Sequence, residues 1–533
     1  MPQAHPTNAS LELIARLEEA AREQAKTAEH PIHVSELTSL PAFAYEKLRN
    51  IVDYKEEHLL RKNAVRRFLK RKFLLPQFSQ SPPQAAQALI RELILSRYLP
   101  NDSLPESLAE ALGNVLGKYY ALFDQVRSRG CDTPRWREQL LGLAAVECDS
   151  RLVSPAERNA YTAFAANLIR PALDLSAIGS GTDIQNVHLV LAIERVLNRA
   201  DRDILNYYLL LHYYPDWFTL PSTQAGVYLA PHVGSLLNTF TDLNSGLASK
   251  RLMPIIRRLC VPLVIFRDAL KLFEGSARDL LHNPQRLEQQ MRTSYQAYWL
   301  ATRRRIRRKG FHAMAYIFIT KILIAILLEL PYEKFILGNI AYLPLSINLI
   351  FPPVLMLVIT LLIKSPTAQN EERVVESIRE FVYDGPADFY APQVLVIGRA
   401  KLWARVFYGL LYILTVGASF SAVVFLLWRL NFNLVSGTLF IFFASLVSFF
   451  GISLRQQARQ LKVAQGRETI TSFVLDFFTF PIVALGKWLS TTFDRYNFLI
   501  FLLDFLFEVP FKTLLKLIED WFHFLKEKKE DML

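Results

Sequence analysis

The sequence predicts an all-α fold: an N-terminal helical cytoplasmic region followed by a polytopic α-helical transmembrane domain. Three observations carry that expectation. First, composition is uneven. The chain has 533 residues, is 51% hydrophobic and carries a formal net charge of +12. Cut at Gly310, the first part holds 41 basic and 31 acidic residues, a net of +10, and the second holds 20 and 18, a net of +2. Of the 37 phenylalanines, 10 precede the cut and 27 follow it. A short, Phe-rich, charge-poor part after a charged one is the pattern of membrane-embedded sequence behind a soluble region. Second, helix-start signals recur along the first part. Third, alternating strand patterns are scarce; VLVIG at 394–398 comes nearest. The apolar fraction excludes a wholly disordered chain, and three cysteines exclude a disulfide scaffold.

The first region, 1–302, reads as a run of helices near 11–28, 43–74, 84–98, 104–127, 134–147, 155–172, 185–199, 201–213, 252–275 and 284–309. Loops with Pro and Gly fall around 76–83, 176–183, 215–234 and 244–248. Ser154-Pro155-Ala156-Glu157 and Ser103-Leu104-Pro105-Glu106 have the capping-box form, in which a serine oxygen and a glutamate satisfy the first backbone N–H groups. Thr133-Pro134 and Asn283-Pro284 place a cap before a proline. Asp201 and Asp203 open a helix, where acids favour the dipole. The opening MPQAHPTNAS is polar and lacks the apolar core of a signal peptide, so this region is expected to stay on the side of synthesis. Cys131, Cys148 and Cys260 are then reduced and read as small buried hydrophobes.

The second region, 303–454, holds four apolar runs expected to span a bilayer, 311–330, 342–363, 402–428 and 432–454. Pro331-Tyr332-Glu333-Lys334 reads as a polar turn after the first, and KSPTAQNEERVVESIREF as a stretch in water after the second. Basic residues set the orientation. Arg303, Arg304, Arg305, Arg307, Arg308 and Lys309 precede the first span, Lys364, Arg373 and Arg379 follow the second, and Arg455, Arg459, Lys462 and Arg467 follow the fourth. The opposite loops hold Lys334 and Arg429 alone. The positive-inside rule then makes both termini cytoplasmic, in a plasma (inner) membrane, with the bilayer as the first partner. The six charges of 303–309 mark topology and are candidates for contact with anionic lipid.

The third region, 455–533, is expected to form amphipathic interfacial helices and a cytoplasmic tail. Asp504, Glu508, Lys512 and Lys516 recur every four residues as a polar stripe; the rival arrangement is a fifth and sixth span with Asp476, Asp504 and Glu508 turned inward.

Residues that are costly inside a membrane are the candidate functional ones. Lys321 sits mid-span, too deep to snorkel easily, and needs a carboxylate, other helices or water beside it. Pro344, Pro352 and Pro353 are expected to break the second span, with polar Ser346 and Asn348 between them. A broken polar helix beside a lysine suits a solute or ion path; the plainer alternative pairs Lys321 with Asp476 or Asp504 for structure.

Two features remain in the first region. The basic helix 43–74 carries Arg61, Lys62, Arg66, Arg67, Lys70, Arg71 and Lys72, and reads either as a solvated face partly neutralised by Glu56 and Glu57 or as a membrane-surface helix. No RNA-binding aromatic motif accompanies it, which argues against nucleic acid. The aromatic run LNYYLLLHYYPDWF, 205–218, reads as a core seam or a groove; His212 and Asp216 are poorly spaced for a metal because Pro215 interrupts the helix. No nucleotide-binding, metalloprotease, nucleophile-elbow or kinase motif is present, so no catalytic or metal residue and no cofactor is indicated. The expected role is an interaction or scaffold protein whose cytoplasmic region recruits a protein partner. A transporter or channel component with Lys321 in its path, as an oligomer, is the first alternative, and a membrane-bound enzyme the second.

Overall fold

The computed structural model describes residues 5–24, 32, 57–74, 81–102, 104–178, 181–339, 341–361, 368–384, 393–394, 402–459, 479–490 and 492. Among them the fold is all-α. One pair of two-residue strands interrupts it: β1 (Leu173–Asp174) runs parallel to β2 (Gln393–Val394), with Leu173 opposite Gln393. The chain divides into two compact units. The described part of the first lies in Met1–Cys260 and Glu380–Ile397, and of the second in Val261–Arg379 and Gly398–Asp504.

In chain order the first unit holds α1 (Asn8–Gln24), α2 (Glu57–Leu74), α3 (Pro82–Leu95), α4 (Ser107–Ser128), α5 (Pro134–Leu152), α6 (Ala156–Ile169), α7 (Thr182–Leu197), α8 (Arg202–Tyr213), α9 (Ser222–Leu229), α10 (Val233–Ser245) and α11 (Leu247–Leu259). Helix α4 is central. Its buried residues Leu112, Val115, Leu116, Tyr119, Leu122 and Val126 recur at three- and four-residue steps, so one stripe faces α3, α5 and α9. Helix α9 comes so close that a Cβ on Gly226 would lie 2.5 Å from the Ala121 carbonyl oxygen.

The caps behave as their chemistry requires. Thr133 accepts from the Trp136 N–H at 3.2 Å, and Asn283 from the Arg286 N–H at 3.1 Å. Asp201 accepts from the Ile204 N–H at 3.2 Å. The capping box at Ser154 does not form as expected, and Ser103 of the other lies outside the described residues. Helix α6 begins at Ala156, with Ser154 Oγ accepting from the Ala156 N–H, and α4 begins at Ser107 behind Glu106, which makes no side-chain cap. The segment read as loop at 215–234 contains α9 and the start of α10. Pro221 stands just before α9, where its missing N–H costs nothing. The single helix expected at 252–275 is two, divided at Cys260 with Pro262 in the first turn of the next.

Of the helix expected at 43–74, residues 43–56 lie outside the described residues, and α2 holds several of its basic residues in ion pairs. Arg61 pairs with Asp149 at 2.6 Å; Lys62, almost fully buried, pairs with Asp201 and with Asp203 at 2.8 Å; Arg66 pairs with Asp203 at 3.0 Å and with Glu138; Arg71 pairs with Glu92 at 2.6 Å. These charges are spent inside the unit, on acids of α3, α5 and α8. Gly142 makes room: a Cβ there would lie 2.5 Å from Asp203 Oδ1. A second buried group joins Lys118, Tyr119, Glu147 and Trp217. Glu147 Oε2 accepts from Tyr119 OH and Trp217 Nε1, each at 2.8 Å, and Oε1 accepts from Lys118 Nζ. Every member is satisfied, which is what makes such a network tolerable in a core.

The second unit holds α12 (Val261–Leu272), α13 (Ala277–His282), α14 (Pro284–Ile324), α15 (Tyr342–Leu361), α16 (Ala368–Arg379), α17 (Leu402–Arg429) and α18 (Leu434–Arg459). Among the described residues, four helices are long and apolar enough to cross a membrane: Pro284–Leu337, Tyr342–Leu361, Val406–Arg429 and Leu434–Gln456. Two expectations are corrected here. The helix expected to end at 309 and the first apolar run form one unbroken helical segment, Pro284–Leu337, whose first 41 residues are α14. Pro331-Tyr332-Glu333-Lys334 is not a turn. Helical backbone continues through wide turns at Ala325–Glu329 and Glu333–Leu337, and ends at Gly338, whose φ of +74° suits glycine. Pro331 stands second in the short segment Leu330–Tyr332, between the two wide turns. The polar stretch after α15 forms α16, which packs on α12 and α14; Asn370 Nδ2 donates to Tyr295 OH at 2.8 Å.

Candidate functional site

Helix α14 carries a buried seam of Tyr295, Trp299, Ile306, Gly310, Ile317 and Lys321. The alternating steps of four and seven make an eleven-residue repeat, about 3.67 residues per turn, which keeps one edge of a long, nearly straight helix against its neighbours. Gly310 lets α15 approach: a Cβ there would lie 2.6 Å from Thr360 Oγ1. Lys321 is therefore directed inward by the same register that buries the residues before it.

Its partner is Glu329. Nζ lies 3.8 Å from Glu329 Oε2, and both side chains have no solvent exposure. At about 100° per residue, eight residues of regular α-helix would leave Glu329 about 80° from Lys321. The wider i→i+5 turn at Ala325–Glu329 rotates less per residue and brings the two back to one edge. Lys321 Nζ also stands 4.8 Å from the centre of the Phe443 ring on α18, a cation–π contact.

A second acid, Glu333, and three neutral side chains complete the cluster. Asn348 Nδ2, on α15, donates to Glu329 Oε1 at 2.7 Å and to the Ser436 carbonyl at 3.1 Å. Ser436 Oγ, on α18, donates to Glu329 Oε1 and lies 3.4 Å from Glu333 Oε1. Glu333 Oε1 accepts from Asn433 Nδ2 at 2.8 Å, and Oε2 from the Ala341 N–H at 3.0 Å. Asn433 in turn caps α18, accepting from the Ser436 N–H at 2.8 Å. Glu333 thus ties the turn before α15 to the turn before α18. Glu333, Asn348 and Ser436 are fully buried. Three polar atoms keep unused hydrogen-bonding capacity: Lys321 Nζ, Glu329 Oε2 and Asn348 Oδ1.

Of the residues singled out in the sequence, the structure joins Lys321 and Asn348. Ser346 is exposed and lies apart from the cluster. Pro344, Pro352 and Pro353 do not break the second apolar helix, which is continuous from Tyr342 to Leu361. Pro344 stands in its first turn, where no N–H is needed, and Pro344, Asn348, Pro352 and Met356 form one buried stripe at four-residue steps. Asp476, Asp504 and Glu508 lie outside the described residues; the carboxylate facing Lys321 is Glu329. Glu329, Glu333, Asn433 and Ser436 were not singled out by sequence. Glu329 lay inside the first apolar run, and an acid there is as costly as a lysine.

The other candidates separate. In α14, Arg304, Arg305, Arg307 and Arg308 are exposed and point away from the seam, while Arg303 and Lys309 are half-buried. In the aromatic run, Trp217 and Tyr207 belong to the core, and Tyr213 and Phe218 are exposed. His212 Nε2 meets Asp183 Oδ2 at 3.3 Å, not Asp216. Cys148 and Cys260 are buried, and burial pushes both thiols up; Cys131 is exposed, contrary to expectation, just past the end of α4. Residues 479–490 are helical, and Gly486 touches the Ser445 carbonyl of α18, so this helix packs on the apolar bundle. Compared with known protein families, curated proteins and solved structures, the chain matches none of them.

Proposed function

We propose that the chain is a multi-pass integral membrane protein with both termini cytoplasmic, and that its apolar bundle anchors a helical unit that recruits a protein partner. The observation that carries this reading is the unlike chemistry of the bundle's two ends. The close approaches of Gly310 to Thr360 and of Gly451 to Ile359 mark one end, where Arg303–Lys309 and Arg455 stand. The turns joined by Glu333 mark the other, with Lys334 and Arg429. Basic residues retained on the cytoplasmic side account for the difference. A partner is supported by exposed apolar side chains on the first unit, among them Ile184, Tyr213, Phe218, Val227 and Leu247. The hydrogen bonds by which Glu333 ties Asn433 to Ala341 support an anchor held shut at this end rather than an open path.

Crosslinking of the full chain in its native membrane tests the role. A protein partner captured by the wild type and lost on Tyr213→Ser/Phe218→Ser supports it; capture of none, or capture unchanged by the substitutions, sinks it.

A second reading, a solute or ion path, is favoured by one observation, the unused capacity of Lys321 Nζ, Glu329 Oε2 and Asn348 Oδ1 at one place in the bundle. If Lys321→Leu leaves every flux in reconstituted vesicles unchanged, this reading fails.

A further inference from the structure

The chain has two dense runs of basic residues, and the structure treats them differently. On α2, Arg61, Lys62, Arg66 and Arg71 are each met by a carboxylate from another helix. On α14, Arg304, Arg307 and Arg308 are exposed, and none has an ion-pair partner among the described residues. Both runs carry similar charge density, so it is placement that distinguishes them.

Placement on α14 is specific. At about 100° per residue, Arg304, Arg307, Arg308, Phe311, Phe318 and Ile319 fall on one face of the helix. That face is about 120° wide and is centred about 140° from the seam of Tyr295, Trp299, Ile306, Gly310, Ile317 and Lys321, with Arg307 and Phe318 on the flank nearer the seam. Phe311 is 63% exposed and Ile319 67% exposed. Three guanidinium groups therefore stand directly above a strip of exposed apolar side chains, on one unbroken helix. From Arg307 to Phe318 the strip runs about 16 Å at 1.5 Å per residue. Guanidinium groups match phosphate oxygens in fork geometry, and apolar side chains match acyl chains. The other three basic residues are placed differently: Arg303 flanks the seam, and Arg305 and Lys309 project to a third side.

We propose that the face of α14 formed by Arg304, Arg307, Arg308, Phe311, Phe318 and Ile319 is a binding site for one anionic phospholipid. The guanidinium groups hold its phosphate, and its acyl chain lies along Phe311 and Ile319. The proposal rests on the membrane reading above. It goes beyond a general attraction of basic residues to a charged leaflet, because it assigns the contact to three arginines among the six basic residues of 303–309.

Native mass spectrometry of the purified full chain tests it, with POPG and POPC supplied in equal amounts. The wild type should retain POPG over POPC. Arg304→Gln/Arg307→Gln/Arg308→Gln should lower POPG retention by about tenfold or more, given the usual contribution of each basic residue at a lipid surface. Arg129→Gln/Lys250→Gln/Arg251→Gln, which removes the same charge from exposed sites of the first unit, should retain POPG as the wild type does. Replacing the three arginines by lysine should give intermediate retention, since charge persists and the fork does not. Inorganic phosphate should not displace POPG, because it lacks the acyl chain. Equal loss in both glutamine triples, unchanged retention in the α14 triple, or equal retention of POPG and POPC by the wild type overturns the proposal. Recovery of the chain in carbonate-washed membranes is scored in parallel. A wild type absent from that fraction refutes the membrane reading itself, whereas a membrane-resident wild type without POPG preference refutes only the lipid site.

Discussion

Lys321 and Glu329 belong to one helical segment, eight residues apart, and meet at 3.8 Å because the helix between them widens at Ala325–Glu329. The pair is fully buried. Burying two charges is expensive, and removing one partner strands the other. Lys321→Met should therefore lower stability by about 3–5 kcal/mol, and Lys321→Met/Glu329→Leu should recover much of that loss. Thermal unfolding of the two single variants and the double in detergent checks it; additive losses would show that the two side chains do not depend on each other.

Asn433 does two things with one amide. Its oxygen caps α18, and its Nδ2 donates to Glu333. Asn433→Ala should cost about 1–3 kcal/mol, from the lost cap and an under-satisfied buried carboxylate. Asn433→Asp keeps the cap and places a second acid against Glu333, so it should be at least as harmful. An aspartate variant as stable as the wild type would remove Glu333 from the account.

Gly310 sets how closely α14 and α15 approach. A Cβ there would lie 2.6 Å from Thr360 Oγ1 and 2.8 Å from its Cγ2, atoms that a rotamer change can partly move. Gly310→Val should destabilise the bundle by about 1–3 kcal/mol through overpacking. Adding Thr360→Ala should return part of that stability. If the valine is tolerated without compensation, the crossing is looser than described.

His188, on α7 of the first unit, is buried with Nδ1 unmet by any hydrogen bond, and burial holds its imidazole below the ordinary value of 6.5. In the unfolded chain it takes up a proton near that ordinary value, and in the folded chain only at lower pH. Its contribution is thus present above about pH 6.5 and lost as pH falls through the folded value. Melting temperature should drop between pH 7.5 and pH 5 less steeply in His188→Phe than in the wild type. Parallel slopes would contradict this.

Much of the fold was legible because its causes are local. Thr133, Asn283 and Asp201 cap where their side-chain chemistry places them. Long apolar runs give helices of matching length. What failed was punctuation. Pro221, Pro331 and Pro352 read as breaks, yet stand at a helix start, after a wide turn and within a continuous helix. The candidate site was legible in half. Lys321 declares itself by its cost, but its direction follows only once α14 is one continuous helix whose buried seam begins before the apolar run. Glu329 does not, because regular helical geometry puts it on another face, and only the wide turn returns it. Glu333 and Asn433 are 100 residues apart and meet through tertiary packing, which no local pattern encodes.

The orientation of the bundle is the claim on which the rest depends, and cysteine accessibility measures it most directly. The background is Cys131→Ser, since Cys148 and Cys260 are buried. Single cysteines at Lys334 and Arg429, both exposed, are compared with single cysteines at Arg304 and Arg373. A membrane-impermeant maleimide applied to intact cells should label the first two and reach the last two only after permeabilisation. Labelling of Arg304 and Arg373 in intact cells, with Lys334 and Arg429 protected, would contradict the account.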